Sequence, residues 1–296
     1  ILFAHRVYMR TTRRGLSLEE RIRAMKEALF SASLIISRDG LAALLKEHPH
    51  ARVSKILVSS STPWSYTLSR NVQYAHEEEF RVTKELIHDL VGSAEKEIAQ
   101  HITTAVLPTE LTYEIVERAT IDVRINDYPV RNPLNLKGKE ISLVHVTGLI
   151  PKEVTQALDE VRDKIFPHTE IHAHTFMLML HCVLREMYRD HESLLAVHVS
   201  GDATEFGIVE GDTLVESISI PIGLNSIVSD LMKHETGTSE EMYTLLGLYE
   251  AGELHEEEGN RVRKALETYQ ACIEDALVPY THTRRLPKTT FVLAPT

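Results

Sequence analysis

Leu194-Leu195-Ala196-Val197-His198-Val199-Ser200-Gly201-Asp202-Ala203-Thr204-Glu205-Phe206-Gly207-Ile208-Val209 decides how the rest of the chain is read. An apolar run, a tight group of small residues and a second apolar run predict a buried strand hairpinned to its neighbour. Small side chains at 200–203 let an anion approach backbone N–H groups, and the hydroxyls of Ser200 and Thr204 add donors. Small residues also close ordinary hairpins, so the stretch alone carries both readings.

Outward from this hairpin the pattern alternates helix and strand. Upstream, residues 175–188 have helical spacing; downstream, 214–220 read as a third strand. After Gly223 the chain turns helical through Ile227, Val228, Leu231 and Met232. A long acidic helix over 256–277 carries Val262, Leu266, Tyr269, Ile273 and Leu277 on one stripe, and 290–294 read as a closing strand. At the other end, 1–9 read as a strand. Ser17 with Glu20 makes a capping box for a helix that buries Ile22, Met25 and Leu29. A second short helix follows over 40–47.

The middle has a different texture. A strand at 55–59 enters the hydroxyl-rich Ser59-Ser60-Ser61-Thr62-Pro63-Trp64. Residues 71–77 alternate as a half-exposed strand, and Thr83 caps a helix whose face is Leu86, Ile87, Leu90, Ala94 and Ile98. Strands at 119–126 and 140–147 flank the turn Asn126-Asp127-Tyr128-Pro129, and 152–165 read as a helix. The order strand, strand, helix, strand, strand, helix predicts a compact α+β unit.

Bulk properties narrow the function classes. The chain has 296 residues, 43% hydrophobic and 25% charged, enough for two domains with ordinary cores. With 43 acidic against 32 basic residues the net charge is −11, which opposes binding to nucleic acid. Cys182 and Cys272 lie in no metal or redox spacing, and both fall in apolar helical patterns, where a reduced Cys behaves as a small hydrophobe; this composition suits a reducing compartment. No apolar run reaches the 18–20 residues that span a bilayer, and no signal-peptide layout opens the chain.

Several further residues invite a functional reading. His172-x-His174, with His181 two turns on, has some zinc-like character, but the helical i+4 position from His174 is Leu178, not a ligand. These histidines read as structural or surface residues, and no metal is expected. Trp64 reads as an anchor for the α+β unit or as a partner contact. Glu256 and Glu257 sit where acidic residues favour a helix start, and are also candidate partner contacts. No Ser-His-Asp or Cys-His set has hydrolase spacing.

In this order, the motifs resemble the FtsA-type cell-division family of the actin/Hsp70 ATPase superfamily. The 197–205 stretch is similar to that superfamily's second phosphate loop, and Ser219-Ile220-Pro221-Ile222-Gly223 to its S-x-P-x-G-G. The run from Asp127 to Gly138 resembles the family's D-P-x-x-M-x-G segment, and Ser59-Ser60-Ser61-Thr62-Pro63-Trp64 its S-S-P-W stretch. The likeness covers about residues 50–296, and the pilus-assembly PilM family is a close alternative with the same architecture. It implies an α/β, actin-like (ribonuclease H-like) fold fragment carrying an inserted FtsA-type 1C, or SHS2-like, α+β subdomain. Residues 1–50 would be a remnant of the first lobe, 51–167 the insertion, and 168–296 the second lobe, helical over about 225–285. Both ends read as cut.

The resemblance implies nucleotide residues Ser200, Gly201, Asp202, Ala203, Thr204, Glu205 and Gly223, with ATP and Mg²⁺ as the cofactor. The departures imply that the cofactor is held weakly or lost. His198 stands where the family has a strand carboxylate, and Ser200, Asp202 and Ala203 replace Gly, Gly and Thr. Asp202 puts negative charge where phosphate should be received. Glu205 can stand in for the family's closing Asp. The first phosphate loop and the glycine-rich adenosine loop are not seen, and Pro295 follows the closing strand. The implied protein is a cytoplasmic scaffold, peripheral to the inner face of the membrane, with no efficient catalysis. It would act by self-association and by binding a tubulin-like division ring protein or a pilus assembly protein, and reach the membrane only through a segment outside this chain. The rival expectations are an active ATPase whose missing loops lie elsewhere, and a metal-dependent enzyme.

Overall fold

The computed structural model describes residues 1–7, 17–104, 110–188, 193–233, 237–283 and 286–294. Ser17 opens helix α1 (Leu18–Ile35) with the expected box: its Oγ accepts the Glu20 N–H, and the Glu20 carboxylate accepts the Ser17 N–H at 2.8 Å. A single π-helical turn, Ile36–Gly40, carries the chain straight into α2 (Leu41–Glu47), so the expected break between two helices is absent. Arg38 and Asp39 interrupt the apolar spacing but pair with each other at 2.6 Å on the surface and leave the helix intact. The joined helix Leu18–Glu47 is therefore apolar and long enough to cross a membrane by length and composition, with only 6% of its most apolar stretch buried. A count of uninterrupted apolar residues stops at Arg38 and misses it.

The expected strand at the N-terminus is not formed over 1–7, which pair with no other strand; residues 8 and 9 lie outside the described residues. Among the described residues three sheets follow. Strand β1 (Lys55–Ser60) pairs in parallel with β6 (Glu170–Thr175). Helices α1 and α4 (Lys152–Ile165) cover this pair, with Met25, Ile150, Val154 and Leu158 at the centre. Thus β1 and α4, at the two ends of the 51–167 stretch, pack with α1 and β6.

The second sheet has the order β2-β5-β3-β4, from β2 (Tyr66–Arg81), β3 (Tyr113–Ile125), β4 (Tyr128–Pro129) and β5 (Lys137–Pro151), all antiparallel. Asn126 and Asp127 adopt positive φ in the two-residue turn, a conformation these residues tolerate best after glycine. Thr83 caps α3 (Lys84–Thr104), whose Leu90 and Ala94 pack on Val72, Ile125, Ile141 and Leu143.

The third sheet, in the order β10-β7-β8-β9, joins β7 (Ser193–Val199), β8 (Thr204–Glu210), β9 (Thr213–Ile220) and β10 (Thr290–Leu293). Its two faces are both covered, which is why β7 and β8 read as continuous apolar runs. Leu195, Val197, Val199, Phe206 and Ile208 face α8 (Glu256–Thr283), while Leu194, Ala196 and Val209 face α5 (Phe176–Met187). Helix α6 (Leu224–Leu231) and α7 (Ser239–Ala251) pack with α8 in a helical layer. Cys182 is exposed, because α5 turns Met177, Leu178, Leu180, His181 and Leu184 inward and leaves 182 and 183 outside.

Candidate functional site

The hairpin between β7 and β8 is closed by four residues whose polar groups largely satisfy one another. The Ser200 N–H donates to the Ala203 carbonyl at 2.8 Å, and Ser200 Oγ accepts the Ala203 N–H at 3.1 Å. The loop then caps α6. Leu224 N–H donates to the Ser200 carbonyl at 3.0 Å and Asn225 N–H to the Gly201 carbonyl at 2.7 Å. A helix start normally offers such N–H groups to an anion. Here the loop's own oxygens take them. Gly223 permits this approach: a Cβ there would stand 2.5–2.6 Å from Ser200 O, Ala203 N and Gly201 O, all backbone atoms.

Asp202 points away from the loop, toward other elements. Its Oδ1 accepts from Asn225 Nδ2 at 2.8 Å and its Oδ2 from Arg21 Nη2 of α1 at 3.3 Å. Asn225 Oδ1 in turn accepts a hydrogen bond from Tyr243 Oη of α7. Tyr66 also lies close to Arg21: burial pushes its phenol up to about 12, and the guanidinium opposes that rise.

Glu205 is buried, 2% exposed, and bonded on both oxygens. Thr62 Oγ1 donates to Oε1 at 3.0 Å, and His198 Nδ1 lies 3.0 Å from Oε2. His198 sits opposite Glu205 across the β7–β8 ladder and packs against Phe176, with ring centroids 4.1 Å apart and planes tilted by 35°. Thr62 Oγ1 also lies 3.1 Å from Ser219 Oγ, so the 61–65 loop is tied to β8 and β9 together. Thr204 is fully buried, and its hydroxyl is spent on the Ile222 carbonyl (2.7 Å) and Tyr269 Oη (2.6 Å). It does not face the same space as Asp202.

The structure thus brings Ser200, Gly201, Asp202, Ala203 and Gly223 together at one loop, with Glu205 and Thr204 on separate sides of it. The other named residues lie elsewhere. Trp64 is half-buried against the Met25–Ile150–Val154–Leu158 cluster. Glu256 and Glu257 are exposed in the first turn of α8, with Glu257 3.8 Å from Arg261. His172 and His174 contact Glu170 and Glu117 separately, and His181 is buried in α5. Among the described residues no three His, Cys, Asp or Glu side chains converge as a metal set. A groove of about 300 Å³ opens beside them, floored by Val116, Leu158, Ile171 and Ala173 and edged by Asp159, Arg162, His172 and His174. Reading the sequence missed Arg21, Asn225 and Tyr243. No local signal marks them, since each is an ordinary polar residue of an amphipathic helix.

No family model and no curated protein matches the sequence. Among solved structures, a PilM–PilN type IV pilus biogenesis complex aligns over 96% of this chain and 72% of its own, with a TM-score of 0.57 and 12% identity. The chain has the actin-like ATPase fold. Ethanolamine utilization protein EutJ from Carboxydothermus hydrogenoformans also aligns, at 16% identity over 47% of each chain, with a TM-score of 0.34. So does a protein of actin-like ATPase fold and unknown function from Bacteroides thetaiotaomicron, at 11% identity over 85% of this chain and 75% of its own (TM-score 0.35). At those scores the two add nothing to the assignment.

An actin-like fold implies a nucleotide with Mg²⁺, and the residues around the hairpin do not fit one. The helix N–H groups that would meet a phosphate are given to loop carbonyls. A carboxylate stands beside them and repels an approaching anion. Both oxygens of Glu205, the remaining acidic group at the hairpin, are engaged by Thr62 and His198 and turned into the core.

Proposed function

We propose that this chain is an actin-like scaffold of PilM type, which assembles with a PilN-like partner and with its own kind and has a disused nucleotide seat. The observation that carries the second half is Asp202, whose carboxylate occupies both Arg21 and Asn225 beside a helix start already capped by the loop. The first half draws support from the alignment along nearly the whole chain with PilM. The apolar-floored groove beside β6 and the exposed Leu34, Ile36 and Leu45 of the α1–α2 helix are the surfaces offered to partners. The phosphate-loop ancestry of 197–205, the insertion at 51–167 and a cytoplasmic place at the membrane face belong to this proposal. Cell division by an FtsA-type scaffold is the second reading, favoured by the motif order around Pro63, Asp127 and Pro221.

Isothermal titration tests the seat. No saturable heat is expected with Mg-ATP up to about 1 mM, which corresponds to about −4 kcal/mol of binding. A micromolar dissociation constant would overturn it. Sedimentation of the purified chain, alone and with a PilN-like protein, tests the scaffold role. A strict monomer that ignores the partner speaks against it.

A further inference from the structure

The Arg21–Asp202 contact runs from α1 to the third sheet, beside the ties that Thr62 makes to Glu205 and Ser219. Arg21 belongs to α1, which packs on α4 and the β1–β6 pair through Met25 and Leu29. Asp202 belongs to the hairpin of the third sheet, whose core is shared with α8. The two side chains are 181 residues apart in sequence and roughly one-third exposed. Asp202 is held on both sides: the guanidinium takes one carboxylate oxygen and the Asn225 amide the other. Asn225 is itself fixed, through its backbone N–H on Gly201 and through Tyr243. A guanidinium and a helix-start amide converging on two oxygens of one anion is the donor arrangement that recognises an oxyanion.

We propose that Asp202 is a built-in anion that latches α1 to the hairpin, so that the lobes stay closed with no nucleotide between them. The inference rests on reading the seat as disused. In that reading a bound phosphate would have to displace the carboxylate from the same two donors. The chain has exchanged a dissociable ligand for a covalently attached one, whose effective concentration does not depend on the cell's nucleotide level. Closure is then constitutive, as suits a scaffold and not a nucleotide-timed switch.

Hydrogen exchange of the full chain tests this, read on peptides within Leu18–Ile35. Asp202→Ala and Arg21→Ala should each speed α1 exchange by about three- to tenfold, as expected for a partly exposed charged pair reinforced by an amide. Peptides of β3 and β5 should not change. The double exchange Arg21→Asp with Asp202→Arg should restore much of the protection. Raising salt from about 0.05 to 1 M on the unaltered protein should speed α1 selectively, and this measurement stands even where a variant fails to fold. Unchanged α1 exchange in the single variants or across the salt range overturns the latch, and so does a swapped pair as fast as the single changes. Saturable Mg-ATP binding would sink the disused-seat reading instead. Exchange of α1 in ligand-free protein reports the pair alone, so the two failures are distinguishable.

Discussion

Replacing His181 with Leu should make the protein more resistant to acid, by an amount the structure sets. His181 is 1% exposed on the inner face of α5, and neither ring nitrogen meets a hydrogen-bond partner among the described residues. Burial pushes its pKa down to about 4 from the usual 6.5, Arg185 pushes it further the same way, and Asp212 opposes them. The folded pKa lies below the unfolded one, so between those values the unfolded chain binds the extra proton. Stability is therefore full above about pH 6.5 and falls as pH drops toward 4. At about 1.4 kcal/mol for each tenfold, the loss attributable to this residue is roughly 2 kcal/mol at pH 5 and roughly 3 below pH 4. His181→Leu removes it and keeps an apolar side chain among Met177, Leu180 and Leu184. Urea denaturation at pH 7.5 and pH 5 gives both stabilities, and other titrating groups cancel in the difference between the two proteins. The variant should lose about 2 kcal/mol less than the parent over that span. An equal loss in both would refute the argument, since His181 would then carry its proton as readily folded as unfolded.

The other outcomes follow from the same contacts. Gly223→Ala forces a methyl against three backbone atoms and should cost about 2 kcal/mol or more in thermal unfolding. Gly207→Ala meets mainly the Met177 sulfur, 2.6 Å from the added carbon and on an unbranched side chain, and should cost less than Gly223→Ala. If the order of the two is reversed, the packing argument fails. Thr62→Val strips the buried Glu205 of one donor and should destabilise by about 1–3 kcal/mol, whereas Thr62→Ser keeps the hydroxyl and should be close to neutral. Equal losses in the two would show that the lost methyl packing, not the hydroxyl, is what matters there.

Much of the architecture was legible residue by residue, because side-chain period is a local property. The capping box at Ser17, the α3 stripe beneath Thr83, the Asn126-Asp127 turn and the hairpin at 200–203 need only neighbours within a few positions. The same locality explains the misses. Arg38–Asp39 looks like a break until the two charges pair and the π turn carries the helix through. Residues 1–7 have strand-like spacing, but a strand exists only where a second one pairs with it. That Asp202 would repel a phosphate is an expectation from its intrinsic charge alone. What the carboxylate does instead was decided by tertiary structure. Arg21 stands 181 positions away, and Thr62 stands 143 positions from the Glu205 it serves. Periodicity tells which face of a helix is covered but not what covers it. The partner of a polar group is settled only when whole layers pack and bring distant side chains within 3 Å or so of each other.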